Sequence, residues 1–265
     1  MDEKNKVLVV GIIVVVLIAL AIALYYFFIL DRGEEQPAAD DVVEQIEPAV
    51  TEEEEKIPEA EEVEPLQVDL DQSDPVIRDL IKGITSNTRV TNWAKTKDLI
   101  LKFVAGIDNI ANGQSPRAQV DFFTLPEAFR VVERNGRTYV DPASYSRYTA
   151  VAEAFDSLDT EGSVRLYKQL KPVIQEAYKD LGYPDTDFED TLTRAIVELL
   201  SVPVVKDILL EKKIISYAMV DPELEGLSQA QKHLLRMGPE NILRIQAKLR
   251  DLAQALGIPR SKLPR

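Results

Sequence analysis

A mainly α-helical globular domain, carried behind one N-terminal transmembrane helix and an acidic disordered linker, is the fold class this sequence predicts. Three observations predict it. Residues 7–30 form an uninterrupted apolar run, residues 31–72 are dominated by Glu, Asp, Pro, Ala and Val, and residues 73–258 repeat apolar side chains at helical spacing between proline and glycine stops. About 190 residues follow the linker, ample for a single core.

The formal net charge of −14 is unevenly spread. Residues 1–30 set Asp2 and Glu3 against Lys4 and Lys6, and residues 31–75 set 18 acids against Arg32 and Lys56, a net of −16. The remaining 25 acids and 27 bases leave residues 76–265 at +2. The acidity therefore belongs to the linker, and the nearly neutral domain lacks the basic footprint of a nucleic-acid binder. Without cysteine the chain has no disulfide, no thiolate zinc site and no thiol nucleophile.

Val7 to Leu30 is 24 residues without a charge. As a helix the run is roughly 36 Å long, enough to cross a hydrocarbon core of about 30 Å. Tyr25, Tyr26, Phe27 and Phe28 gather at its C-terminal end, where aromatic rings suit the interface. A cleaved signal peptide is the rival reading, with small residues at Ala19, Ala21 and Ala23. Cleavage there would leave Tyr-Tyr-Phe-Phe-Ile-Leu as an exposed terminus, and the run exceeds a usual signal core. Lys4 and Lys6 precede the span and Arg32 alone follows closely, so the bias puts residues 1–6 in the cytoplasm as a stub and the domain outside. The expectation is a single-pass membrane protein with its domain outside, spanning the inner membrane with a periplasmic domain if the organism is a Gram-negative bacterium, the lipid bilayer being met through Val7 to Leu30. The opposite topology stays open on a margin of two bases to one.

The linker, with Glu52 to Glu55 unbroken, is too polar and self-repelling to bury itself. Asp74-Pro75 reads as an N-cap and first-turn proline, opening a short helix to about Ile84. A second helix is expected from Asn92 to Asn112, with Leu99, Ile100, Phe103, Val104, Ile107, Ile110 and Ala111 in one arc of about 140°, ended by Gly113. Phe129 to Val140 alternates around Asn135-Gly136, a strong hairpin signal. Asp141-Pro142 repeats the cap-plus-proline start and leads to about Leu158.

A helix from Asp159 or Thr160 to Gly182 carries Tyr167, Leu170, Val173, Ile174, Ala177, Tyr178 and Leu181 on one side, and Pro172 should kink or split it. Phe188 to Leu200 forms the next helix, stopped by Pro203. Ile208 to Val220 is ambiguous, and β-branched Ile214 and Ile215 favour strand. Asp221-Pro222 is a third cap start, Ser228 with Gln231 makes a capping box, and Pro239 begins a last helix that runs to Gly257. Residues 259–265 are left as a C-terminal tail.

The chemistry-bearing residues are few. His233 is the only histidine, which excludes multi-histidine metal centres, and it sits mid-helix with no nucleophile motif beside it. The 11 glycines are scattered, with no phosphate loop among them. Glu176 falls outside its helix's apolar arc and reads as solvated. Asp108 sits at the edge of an arc, where a half-buried carboxylate needs a donor. Arg236-Met237-Gly238-Pro239-Glu240-Asn241 is a charged helix–Gly-Pro–helix corner, and Tyr145, Arg147 and Tyr148 could stack as a patch. Asp108, Tyr145, Arg147, Tyr148, Arg236, Glu240 and Asn241 are the candidate interaction residues. No catalytic, cofactor-binding or metal-binding residue is assigned.

Several strings carry a family resemblance. They are Ser73-Asp74-Pro75; Phe103-Val104 with Asp108-Asn109; Asp141-Pro142 with Tyr145, Arg147 and Tyr148; Glu176-Ala177-Tyr178 through Leu181-Gly182-Tyr183-Pro184; Asp221-Pro222-Glu223-Leu224; and, most specific, Leu234-Leu235-Arg236-Met237-Gly238-Pro239-Glu240-Asn241. Over about residues 70–256 the chain resembles the bacterial domain of unknown function 3014 family, with Val204 to Met219 matching least. The resemblance implies a membrane-anchored proteobacterial protein of the same anchor, linker and domain order, and implies no activity. The leading functional expectation is a tethered, non-catalytic interaction or scaffold module of the cell envelope that meets an envelope protein, with no cofactor, metal or nucleic acid. The alternative is an envelope enzyme using carboxylates only, such as a cell-wall glycan hydrolase.

Overall fold

The computed structural model describes residues 63–119, 128–214 and 216–264. The stub, the apolar run Val7 to Leu30 and most of the linker lie outside the described residues. Among the described residues no helix is long and apolar enough to cross a membrane.

The domain is mainly helical with one small sheet. In chain order it contains α1 (Ser73–Ile84), α2 (Thr88–Trp93), α3 (Leu99–Ala111), β1 (Val131–Arg134), β2 (Arg137–Val140), α4 (Ala143–Ser146) and α5 (Thr149–Asp156). There follow α6 (Thr160–Asp180), α7 (Phe188–Leu200), β3 (Leu209–Lys212), β4 (Tyr217–Met219), α8 (Pro222–Glu225), α9 (Gln229–Leu235) and α10 (Pro239–Ala255). The four strands pair antiparallel in the order β1-β2-β3-β4. The hairpin around Asn135-Gly136 is as expected, with both turn residues at positive φ (52° and 70°), the conformation of a type I′ turn. Ile208 to Val220 does form a hairpin, yet Ile214, one of the residues that favoured strand, lies between its strands and is fully exposed.

Two apolar clusters hold the domain. The first gathers Ile196 and Leu200 of α7, Leu210 of β3, Leu234 and Leu235 of α9, and Ile242, Ile245 and Leu249 of α10. The second gathers Ile77 of α1, Ile100 and Val104 of α3, and the α6 stripe from Tyr167 to Tyr178, with Phe188. Leu192 and Leu256 touch both, so the clusters form one continuous interior. Leu66, Val68 and Leu70, within the stretch read as linker, pack against the second cluster, and Leu263, within the stretch read as tail, packs against the first.

Three local expectations need correction. The helix expected over residues 92–112 is two, because Asp98 is left-handed (φ 59°, ψ 47°) and the chain restarts at Leu99. Asp74 does not cap its own helix, whose N-cap position is Gln72. Its Oδ1 accepts from the Leu99 N–H (2.9 Å) and its Oδ2 from the Asp98 N–H (3.0 Å), so it caps α3 from a neighbouring helix. Arg78 completes the clamp by donating to Asp74 Oδ2 and to the carbonyls of Ala94 and Thr96. Finally, Pro172 does not split α6. Val164, Tyr167 and Leu170 before it and Val173, Ile174, Ala177 and Tyr178 after it are all buried, and tertiary packing of that stripe outweighs the lost N–H. Phe103 and Leu181, placed on apolar arcs, stay 40 % and 44 % exposed.

Candidate interaction surface

The Gly-Pro corner and the tyrosine stretch meet. Gly238 lies against the Tyr145 ring, and buried Asn241 donates from Nδ2 to the carbonyls of Tyr145 (3.1 Å) and Met237 (2.8 Å). Tyr145 and Asn241 thus tie α4 to the start of α10. The Tyr145 hydroxyl is buried with no hydrogen-bond partner among the described residues. Burial first, and the Asp207 carboxylate second, push its pKa upward. Ser144, also buried, fixes α4 to the entry of β1: its Oγ accepts from the Arg130 N–H (2.7 Å) and donates to the Arg130 carbonyl (2.9 Å).

Arg147 and Tyr148, both half-buried, follow directly after this junction. The Arg147 guanidinium stands 4.9 Å over the Tyr148 ring and 5.8 Å from that of Phe129, donates to Tyr148 Oη (3.2 Å), and is held by the Ser144 carbonyl (3.0 Å). The ring of Phe129, two residues before β1, lies 6.0 Å from that of Tyr217 at the start of β4. Phe129 and Tyr217 are 40 % and 37 % exposed. Phe129, Arg147, Tyr148 and Tyr217 therefore form one aromatic–arginine surface. Sequence reasoning missed Phe129 and Tyr217, because 88 positions separate them and only the fold brings them together.

The remaining candidates stand elsewhere or alone. Asp108 accepts from Asn112 Nδ2 (3.1 Å) and Tyr183 Oη (3.4 Å), a structural role as its half-buried position suggested. Its carboxylate, chiefly, holds the Tyr183 phenol above its ordinary range. Arg236 and Glu240 are exposed on the outer side of the corner, and Glu176 is exposed too.

His233 lies at a boundary, its Nε2 2.8 Å from Ser115 Oγ. Burial, then the charges of Arg236 and Arg117, lower its pKa below the ordinary 6.5. The folded state therefore binds this proton less readily than the unfolded chain, so stability is lost as pH falls below about 6.5. Being the single histidine, it gives one unambiguous imidazole resonance in an NMR titration. A midpoint at or above the free-imidazole value would contradict the buried setting, and His233→Gln should flatten the stability–pH slope between about pH 7 and 5.

No curated protein and no solved structure matches the chain. A family model described as a protein of unknown function (DUF3014) matches residues 99–253, more than half of the 265 residues and the stretch that contains both apolar clusters' helices from α3 to α10. The chain belongs to that family.

Proposed function

We propose that this protein is a membrane-tethered, non-catalytic interaction module of the bacterial cell envelope, its domain periplasmic and engaging an envelope protein through the surface of Phe129, Arg147, Tyr148 and Tyr217. The observation that carries this reading is that surface. Aromatic rings and arginine are the residue types that dominate binding hot spots, and here they are pre-assembled by ring and guanidinium contacts rather than left to order on binding. The apolar run of residues 7–30 supports the tether, and the long polar, acidic stretch after it supports a reach between that run and the domain.

The carboxylate-only hydrolase gains no support from the charged groove bordered by Asp190, Arg194, Glu198 and Lys262. Asp190 and Glu198 stand eight residues apart on α7, about 12 Å along the axis, farther than the roughly 5–9.5 Å of glycosidase pairs. Glu198 is already engaged by the Ser228 hydroxyl (2.5 Å).

In-cell photo-crosslinking of the full chain tests the proposal. A crosslinking residue in place of Tyr217 should give a discrete adduct in the membrane fraction, weakened by Arg147→Ala. The same residue in place of Leu243, 56 % exposed on α10, serves as the control. If both positions give only background, or the protein washes free of membranes at high pH, the reading is wrong.

A further inference from the structure

The two hairpin turns of the sheet point the same way. In the β2–β3 register Thr138 faces Leu210, so the Asn135-Gly136 turn and the turn after Lys212 close the same end of the sheet. That end carries Arg134, Arg137, Lys212 and Lys213 against Glu133 and Glu211. Ile214, at the far tip, is 100 % exposed, the most exposed large apolar side chain among the described residues. Lys212, Lys213, Ile214 and Ser216 rim a shallow hollow there. Arg134 pairs with Asp207 (3.2 Å) and Lys213 with Glu211 (2.7 Å), but all four side chains are about half exposed, and such pairs yield readily to lipid phosphates.

We propose that this hairpin end docks on an anionic phospholipid surface, with Ile214 entering the headgroup–acyl boundary and Lys212 and Lys213 meeting the phosphates. The inference rests on the tethered reading above. An apolar apex flanked by cations is the arrangement of interfacial membrane contacts, where burial and charge act together. Burying one isoleucine raises partitioning by roughly one to two decades, and each lysine near an anionic surface adds about fivefold. That is too weak for a free domain, but a tether supplies an effective concentration on the order of millimolar, at which such docking is populated. Because Tyr217 lies on the same hairpin, docking would also orient the aromatic–arginine surface relative to the bilayer.

The chain has no cysteine, so Ile214→Cys provides a single labelling site at a position where the side chain packs on nothing. The full-length protein, labelled there with a polarity-sensitive dye, is reconstituted with vesicles of phosphatidylcholine alone or with phosphatidylglycerol added. Expected is a blue-shifted dye protected several-fold from aqueous iodide only on the anionic vesicles, with protection lost in Lys212→Gln/Lys213→Gln. A dye at Leu243→Cys should stay open throughout. A dye at position 214 equally open on both vesicle types overturns the docking. Equal protection on neutral vesicles overturns it too, since anionic headgroups would then not be what the tip requires. Flotation of the chain with neutral vesicles reports separately on the tether: a chain that floats there but keeps an open dye on anionic vesicles keeps the anchor and loses the tip, and one that does not float and keeps an open dye on anionic vesicles loses both.

Discussion

Gly238→Ala is expected to cost about 3 kcal/mol or more, summing backbone strain and forced overpacking. Gly238 sits at φ 84°, ψ 163°, a region that residues with a Cβ essentially do not enter. A Cβ built there would lie 2.6 Å from Tyr145 Cδ1 and 2.7 Å from Tyr145 Cβ, so turning the ring alone does not relieve the clash. Against a typical total stability of about 5–15 kcal/mol, such a loss would unfold a measurable fraction at physiological temperature. Urea denaturation of wild type and variant, at matched m-values, measures it. Tyr145→Ala in the Gly238→Ala background should remove the ring's share of the clash and leave the 2.7 Å contact with the Cβ of residue 145 and the strain, so the double-mutant cycle should show favourable coupling. A loss below about 1 kcal/mol for Gly238→Ala would mean that the corner is not built as described.

The second large effect is expected at Gln246. Its side chain is 5 % exposed, and Nε2 donates to the carbonyls of Leu199 (3.2 Å), Leu200 (3.2 Å) and Val202 (2.9 Å), the chain leaving α7. Helix C-termini carry orphan carbonyls, and here a glutamine on α10 meets them inside the core. Gln246→Leu preserves bulk and removes the donor, stranding buried acceptors at a cost of about 1–3 kcal/mol. Gln246→Glu is the sharper test. Its carboxylate would face carbonyl oxygens in the interior, so burial and repulsion raise its folded pKa above the unfolded value. The variant is then least stable, relative to wild type, where the unfolded carboxyl is ionised, and recovers as falling pH lets the buried group protonate and donate. Stability curves for Gln246→Glu and wild type that run parallel from about pH 8 to 5 would refute this role.

Legibility in the sequence followed the range of the interaction. The Asn135-Gly136 turn, the Asp221-Pro222 start and the Ser228–Gln231 capping box are all present as read, because each is closed by residues at most three positions apart. The α6 stripe was readable through Pro172 only as far as the period went; that the helix continues was settled by its burial on both sides. The break before Leu99 was illegible, since it depends on Asp74 and Arg78 reaching across about twenty positions to hold the intervening backbone. Of the candidate patch, Tyr145 and Asn241 do come together, Arg147 and Tyr148 stack, and Asp108 belongs to a separate contact with Tyr183.

By itself the sequence determined which segments are helical, where most of them start and stop, that the chemical vocabulary lacks thiols and metal-binding histidine clusters, and that the acidity sits ahead of the domain. Those properties are local or additive, and nearest-neighbour sterics, side-chain period and charge counts express them directly. Only the tertiary structure decided that two hairpins about seventy positions apart share one sheet, that Phe129 meets Tyr217, and that Gln246 and Asp74 cap helices other than their own. Each of those contacts satisfies a backbone group or an aromatic face with a partner distant in the chain, and which partner arrives is set by how the whole interior closes.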